Sequence, residues 1–344
     1  MLEEATAADW GSDWETAARC SEQAWQRTAA LPQPDARLTA RCVLARGRTE
    51  WRDGRVPSAI ELLREAARQA ELAGDSSSVM LAKLILAPAL VWDGQLDRAE
   101  AVFAETLALC EKERDRFHQC AVHANRMFLW TAQKKPGRAE EDLRAAMQLA
   151  RELGNPSPER VASHNLAELL YRSGEEEECL ALARRSRALQ ERFWQNLPED
   201  ALLLARIHAA RQEYDRARHE LDWLERECRP ESSDPIVRSL FRTVKLAVAE
   251  ASGKRPSPDG WDALLAEARQ AIPAEELIEV LWWRARTAIA GRRWDEARHA
   301  LAEAQDHLVD SPVWTRRIEL LASLVPPGDP SRAEPGPQKN LSSK

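Results

Sequence analysis

The chain has 344 residues, 44% of them hydrophobic and 31% charged, and a formal net charge of −7. That apolar fraction supports a sizeable core and excludes wholesale disorder, while the acidic balance argues against nucleic acid or an anionic membrane as a chain-wide partner. None of the 13 glycines falls in a G-x-G-x-x-G or G-x-x-x-x-G-K-[ST] spacing, which removes the common nucleotide cradles.

Met1 to Trp10 is polar and acidic, without the basic-then-apolar order of a signal peptide. It is predicted to form a short first helix, Leu2 to Trp10, followed by a second from Trp14 carrying Ala17 and Ala24. Later first helices are predicted to be about twice as long. A half-length opening leaves the next apolar flank poorly covered, whereas stacked arrays normally end in a polar cap. It is either a frayed cap, or a late-assigned start, or the sign of a separated piece of a larger regulator or of an end-on partner or dimer contact. After "LPQPD" at 31–35 the helical pattern resumes, and a turn at Gly54 leads into the triplet Ala59, Leu63, Ala66.

The same triplet, a small residue, a bulky one four later and a small one three beyond, returns as Ala99, Phe103, Thr106; Ala139, Leu143, Ala146; and Cys179, Ala183, Ser186. Further copies are Ala217, Leu221, Leu224 and Ala297, Leu301, Ala304, with a weaker one at Leu264, Ala268, Ala271. Twelve residues before most of them lies a second, mainly small column: Gly47, Ala87, Met127, Ala167, Ala205, Ala285. Turns at Gly54, Gly94, Gly174 and Gly291 separate the columns, each glycine being suited to the left-handed backbone that ends a helix. Stretches rich in Ser, Asp and Pro, such as "LAGDSSS", "LGNPSPE" and "RPESSDP", supply caps and first turns between units. The longest apolar stretch, Val79 to Trp92, is broken by Lys83 and Pro88 and is too short to cross a bilayer. Pro88 is predicted to kink its helix and widen any groove there. Near the end, Ser311-Pro312 is predicted to open a last helix with Trp314, Ile318, Leu321 and Leu324 on one face.

No period-two alternation persists, so the chain is predicted to be all-α. A near-constant period of about 40 residues indicates about seven and a half antiparallel helix hairpins stacked as an α-solenoid over residues 1–325, with a disordered Pro/Gly/Ser-rich tail at 326–344. These columns resemble the tetratricopeptide repeat (TPR) family, in particular its long-repeat branch, which includes kinesin light chains, Rap-type regulators and MalT-like domains. The resemblance implies a right-handed superhelix with a concave groove. The units exceed the 34-residue TPR signature, and its closing proline is mostly missing.

Six scattered cysteines without a C-x-x-C pair suggest reduced thiols and a cytoplasmic protein. Seven histidines form no H-E-x-x-H, and Cys120 with His123 lacks the further ligands a zinc site needs. No constellation indicates an enzyme, a metal or another cofactor. A Rap-type phosphatase-stimulating activity would need an N-terminal helical bundle, for which there is no room before Trp14.

Binding is the expected function: a protein or peptide in the concave groove. Asn125 and Asn165 lie 40 residues apart on predicted inner helices. Each amide can either hold a ligand backbone, as the resemblance of "SHNLAELLYRSG" to kinesin light chains and Rap-type receptors implies, or bond a neighbouring helix. Phe128, Thr131, His164, Glu168, Tyr171, Leu202 and Arg206 are expected around them. Arg41, Arg48, Trp51 and Arg52 are expected to accept an acidic or aromatic segment, and one of Trp282 and Trp283 to be core while the other anchors an interface. The alternative function is an effector-sensing module of a larger STAND-type or kinase-associated bacterial regulator.

Overall fold

Aspartates at 35, 75 and 115 recur at the period of the repeat, and each caps a helix. The Asp35, Asp75 and Asp115 carboxylates accept from the backbone N–H three residues on, at 2.8, 3.2 and 3.0 Å. Each satisfies one of the donors that a helix start leaves without a partner. The computed structural model describes residues 1–10, 13–193, 198–253, 260–309 and 311–327. Most of the tail predicted to be disordered, residues 328–344, lies outside them.

Seventeen α-helices are found among the described residues. They are α1 (Leu2–Trp10), α2 (Trp14–Ala29), α3 (Ala36–Arg52), α4 (Val56–Leu72), α5 (Ser76–Trp92), α6 (Leu96–Glu113), α7 (Arg116–Ala132), α8 (Pro136–Glu152), α9 (Pro156–Ser173) and α10 (Glu176–Phe193). Then come α11 (Pro198–Ala210), α12 (Tyr214–Glu227), α13 (Pro235–Ala251), α14 (Gly260–Ala271), α15 (Ala274–Ala290), α16 (Trp294–His307) and α17 (Thr315–Ala322). This is an all-α helical-repeat fold, with eight successive helix pairs and a closing helix. The helices group into two compact units, Met1–Tyr171 with Glu175–Leu204, and Arg172–Gly174 with Ala205–Lys344.

Within the first unit α3 packs on both α4 and α5, and α5 on both α6 and α7. First helices therefore line up beside first helices, each covered by its own partner. The triplet columns form the seams. Ala59, Leu63, Ala66, Ala99, Phe103, Ala139, Leu143 and Ala146 are all buried. The small column is steric in origin: a Cβ on Gly47 would stand 3.0 Å from the Leu63 side chain, tighter than ordinary packing allows. In the second unit α13 packs on α14 and α15, and α15 on α16, around the buried Trp261, Trp283 and Trp314.

Three details differ from the sequence expectation. Gly54, Gly94 and Gly174 do take positive φ, but Gly291 has φ −85° and Arg292 beside it takes φ 55°. Ala271 is exposed, at the last residue of α14. The final helix begins with a 3-10 turn, Pro312–Trp314, and stops at Ala322; Trp314, Ile318 and Leu321 are buried, whereas Leu324 lies past the helix end and is exposed.

Candidate functional site

On α5, α7 and α9 the forty-residue period places Ile85, Asn125 and Asn165 in one column and Pro88, Phe128 and Glu168 in the next, nearly one turn along. This strip is only partly covered. Phe128 is 39% exposed and Val161 of α9 is 37% exposed, while Asn125, Asn165 and Glu168 are half-buried.

Pro88 accounts for Asn125. The helix α5 continues through Pro88, which has no N–H to offer the Leu84 carbonyl four residues earlier. A backbone acceptor left that way needs another donor. The Asn125 Nδ2 of the next repeat supplies it, donating to the Leu84 carbonyl at 3.4 Å. One repeat later Phe128 stands in the proline's column, and its N–H reaches the Ala124 carbonyl in the ordinary helical way. No such acceptor is left over for α9, and Asn165 makes no side-chain hydrogen bond among the described residues. Asn125 joins two helices; Asn165 keeps its donors and acceptor.

Two buried carboxylates brace this strip. Asp142 of α8 accepts from Arg126 Nε and Nη2, both at 2.6 Å, and from Trp130 Nε1 at 2.6 Å. His123 Nδ1 lies 2.8 Å from the same carboxylate. Burial pushes the Asp142 carboxyl up, but the Arg126, His123 and Trp130 hydrogen bonds outweigh it and hold the group down at about 2. Asp200 of α11 lies 2.6 Å from His164 Nδ1, and accepts from Ser186 Oγ at 2.7 Å and Arg160 Nη1 at 3.1 Å. Burial opposes ionisation there too, and His164 leads the partners that keep its carboxyl below the usual range. His164 Nε2 stands 3.9 Å from Glu168 Oε2, so the imidazole sits between two carboxylates. Among the described residues no group of three or more His, Cys, Asp or Glu is arranged to hold a metal ion.

The other side chains singled out in the sequence are placed as follows. Thr131 is exposed at the end of α7. Tyr171 is fully buried, because it shares the apolar stripe of Ala167 and Leu170 at three- and four-residue steps; it does not line an open face. Leu202 is likewise buried. Arg206 is buried in the second unit, where its guanidinium pairs with Glu279 of α15 through two hydrogen bonds. That partner is 73 residues away, and no local pattern announces it. Trp282 and Trp283 are both core, 3% and 1% exposed, packed edge to face at 4.8 Å. Neither is the interface anchor expected of one of them, since α15 is covered on several sides at once.

At the start of the chain an acidic and aromatic partner is supplied internally. Asp9 of α1 accepts from Arg48 Nη1 at 3.4 Å and Arg52 Nε at 3.2 Å. The Arg52 guanidinium lies 4.7 Å over the Trp14 ring, and Trp51 meets Trp92 edge-on at 6.4 Å. Arg41 remains exposed.

No protein-family model and no curated protein matches the chain. Among solved structures it is similar to a Rap protein complexed with competence and sporulation factor, at 16% identity over 83% of this chain and 76% of that one, with a TM-score of 0.60. It is similar also to aspartyl phosphate phosphatase F from Bacillus subtilis, at 15% identity over 79% and 72% of the two chains and a TM-score of 0.63. A third is the Rap conjugation gene regulator of the plasmid pLS20 in complex with the Phr* peptide, at 15% identity, 81% and 74% coverage and a TM-score of 0.57. At these identities the likeness is one of fold, a TPR-like helical repeat.

Proposed function

We propose that the chain is a non-enzymatic adaptor that holds a peptide segment of a protein partner along the partly exposed strip of α7 and α9. The observation that carries this reading is the Asn165 amide, half-buried on that strip and without a side-chain hydrogen bond among the described residues. An amide offers both donors and an acceptor, the complement of a peptide N–H and C=O. Phe128 and Val161 add exposed apolar area beside it, and His164 with Glu168 adds fixed polarity, the mixture that peptide recognition needs. The pLS20 regulator, similar in fold, was solved with a peptide bound.

Peptides selected from a random display library on the full chain supply the probes, and fluorescence anisotropy measures their affinity. Asn165→Ala is expected to weaken binding about tenfold, the worth of a desolvated hydrogen bond. Phe128→Ala is expected to weaken it comparably, and neither should alter the helical melt. Selected peptides that bind both variants as tightly as the wild type overturn the reading.

A further inference from the structure

The steps of the repeat that are open on α7 recur on α5 and α3, and their charge changes on the way. Three of them hold Arg37, Arg41 and Arg48 on α3. Forty residues later they hold Ser77, Leu81 and Pro88 on α5, and forty later again Phe117, Ala121 and Phe128 on α7. Arg37, Arg41 and Ser77 are exposed, Leu81 and Ala121 are half-buried, and Phe117 and Phe128 are 42% and 39% exposed. An arginine edge therefore borders two helices that carry no charge at these steps. Packing does not require the arginines, since α5 and α7 pack without them.

Two of the guanidiniums on this edge are occupied. Arg48 and Arg52 share Asp9, at 3.4 and 3.2 Å. Arg37 gives its Nε to the Ala73 carbonyl at 3.3 Å. Arg41 stands differently: neither it nor Arg27 of α2 makes a hydrogen bond or ion pair among the described residues. The Asp75 carboxyl is held down by Ser78 and, more weakly, by the charges of Arg37 and Arg41. Its two oxygens are taken by the Ser78 N–H and Oγ, at 3.2 and 2.7 Å. Arg27 and Arg41 line one hollow of about 290 Å³ between α1, α2 and α3, with Leu2, Ala24 and Leu38 as apolar walls and Glu3 at its rim. Their donors are left for an acceptor from outside.

Resting on the peptide reading above, we propose that the bound segment is acidic at the end over α3 and apolar where it crosses α5 and α7. One carboxylate lies on Arg41 and Arg27, and apolar side chains follow against Leu81, Phe117 and Phe128. Guanidinium forks match carboxylate oxygens, and such charge-assisted bonds are about twice as strong as neutral ones. A basic end would meet the arginines instead, so the edge also sets the direction of the segment. Helices packed in contact lie about 8–10 Å apart. The path from α3 to α9 is then about 24–30 Å, which ten extended residues cover.

The probes are ten-residue peptides selected on the full chain from two random libraries, one displayed with a free C-terminus and one with that end fused. A side-chain carboxylate is expected to appear as Asp or Glu enriched at one end of the fused library. A terminal carboxylate would appear as loss of binding when a peptide from the free library is amidated. In fluorescence anisotropy Arg41→Gln should weaken the selected peptide about tenfold. Neutralising the peptide carboxylate should weaken it equally, and the two losses should not add. Arg226→Gln, exposed on α12, should leave affinity unchanged. Arg41 is exposed and unpaired, so its variant is expected to melt as the wild type does. Peptides that depend on Asn165 but need no carboxylate, or bind Arg41→Gln as tightly as wild type, overturn this inference and leave the peptide reading standing. Additive losses overturn the pairing in the same way. Peptides indifferent to both Asn165→Ala and Phe128→Ala overturn the peptide reading and this inference with it.

Discussion

The helices α7 and α9 carry an asparagine at the same step of the repeat, yet the two side chains do different jobs. Asn125 donates to the Leu84 carbonyl across the seam to α5, and among the described residues Asn165 has no counterpart bond. The difference lies in neither residue but in the helix each one faces: α5 has Pro88 where α7 has Phe128. The nearby histidines, one residue out of register with each other, also turn to different elements. His123 finds its carboxylate inside its own hairpin, on α8, and His164 finds one on the first helix of the next pair, α11. A repeat fixes where side chains sit; what each one binds depends on what the adjacent copy leaves unsatisfied.

The severest test of this division is at the carboxylates behind the strip. Asp142→Ala removes the buried acceptor of Arg126, Trp130 and His123 and leaves the half-buried Arg126 without that partner, so a loss of about 3 kcal/mol is expected in urea unfolding. A much smaller loss would mean that the α7 repeat is not held from behind as described. The pH dependence of the same group comes next. Its folded pKa of about 2 lies below the ordinary aspartate value of 3.8, so its contribution is complete above the unfolded value. It is lost as pH falls from about 4 through about 2, and amounts to about 2 kcal/mol. Urea midpoints of wild type and Asp142→Asn should therefore converge on acidification through that window. If the gap stays constant, the assigned ionisation is wrong.

A double-mutant cycle examines the seam itself. Asn125→Ala is expected to cost about 1–1.5 kcal/mol in the wild type, by leaving the Leu84 carbonyl without a donor. In a Pro88→Ala background the restored N–H serves that carbonyl, and Asn125→Ala should cost only a few tenths, giving a coupling of about 1 kcal/mol. Additive losses would remove the link between proline and amide. The smallest effect belongs to Asn165→Ala, expected within about 0.5 kcal/mol of wild type in stability. A loss equal to that of Asn125→Ala would make the two amides equivalent after all.

Much of this architecture is legible in the amino-acid order. The triplets around Leu63, Phe103 and Leu143 locate the seams because packing two helices closely demands small residues at fixed steps, and local steps are visible in a single chain. The aspartate caps at 35, 75 and 115 are visible for the same reason. Turns are less so: Lys134, Gln212 and Arg292 hold positive φ without glycine, because helix packing on both sides imposes the turn on whatever residue lies there. The strip was located through its asparagines, yet the role of Asn125 depends on pairing Pro88 with a side chain 37 residues later. Arg206 and Tyr171 are buried where the sequence places them on an open face, because burial from a distant helix leaves no local signature. Clusters of charge are hidden for a related reason. Arg151, Glu159 and Arg185 look like solvated helix charges until α8, α9 and α10 bring them together.

The cap positions also make the repeat excisable. Asp75 and Asp115 open α5 and α7 in the same way, so a chain lacking residues 75–114 would rejoin Gly74 to Asp115 with the cap and the period intact. That deletion takes Leu84 and Pro88 away together and sets α7 beside α3, where Arg48 stands in the proline's column. Arg48 has the N–H that Pro88 lacks, so no carbonyl would be left over for Asn125. The shortened array would carry two unengaged amides in succession, and its run of open amides would be one repeat longer for having lost one.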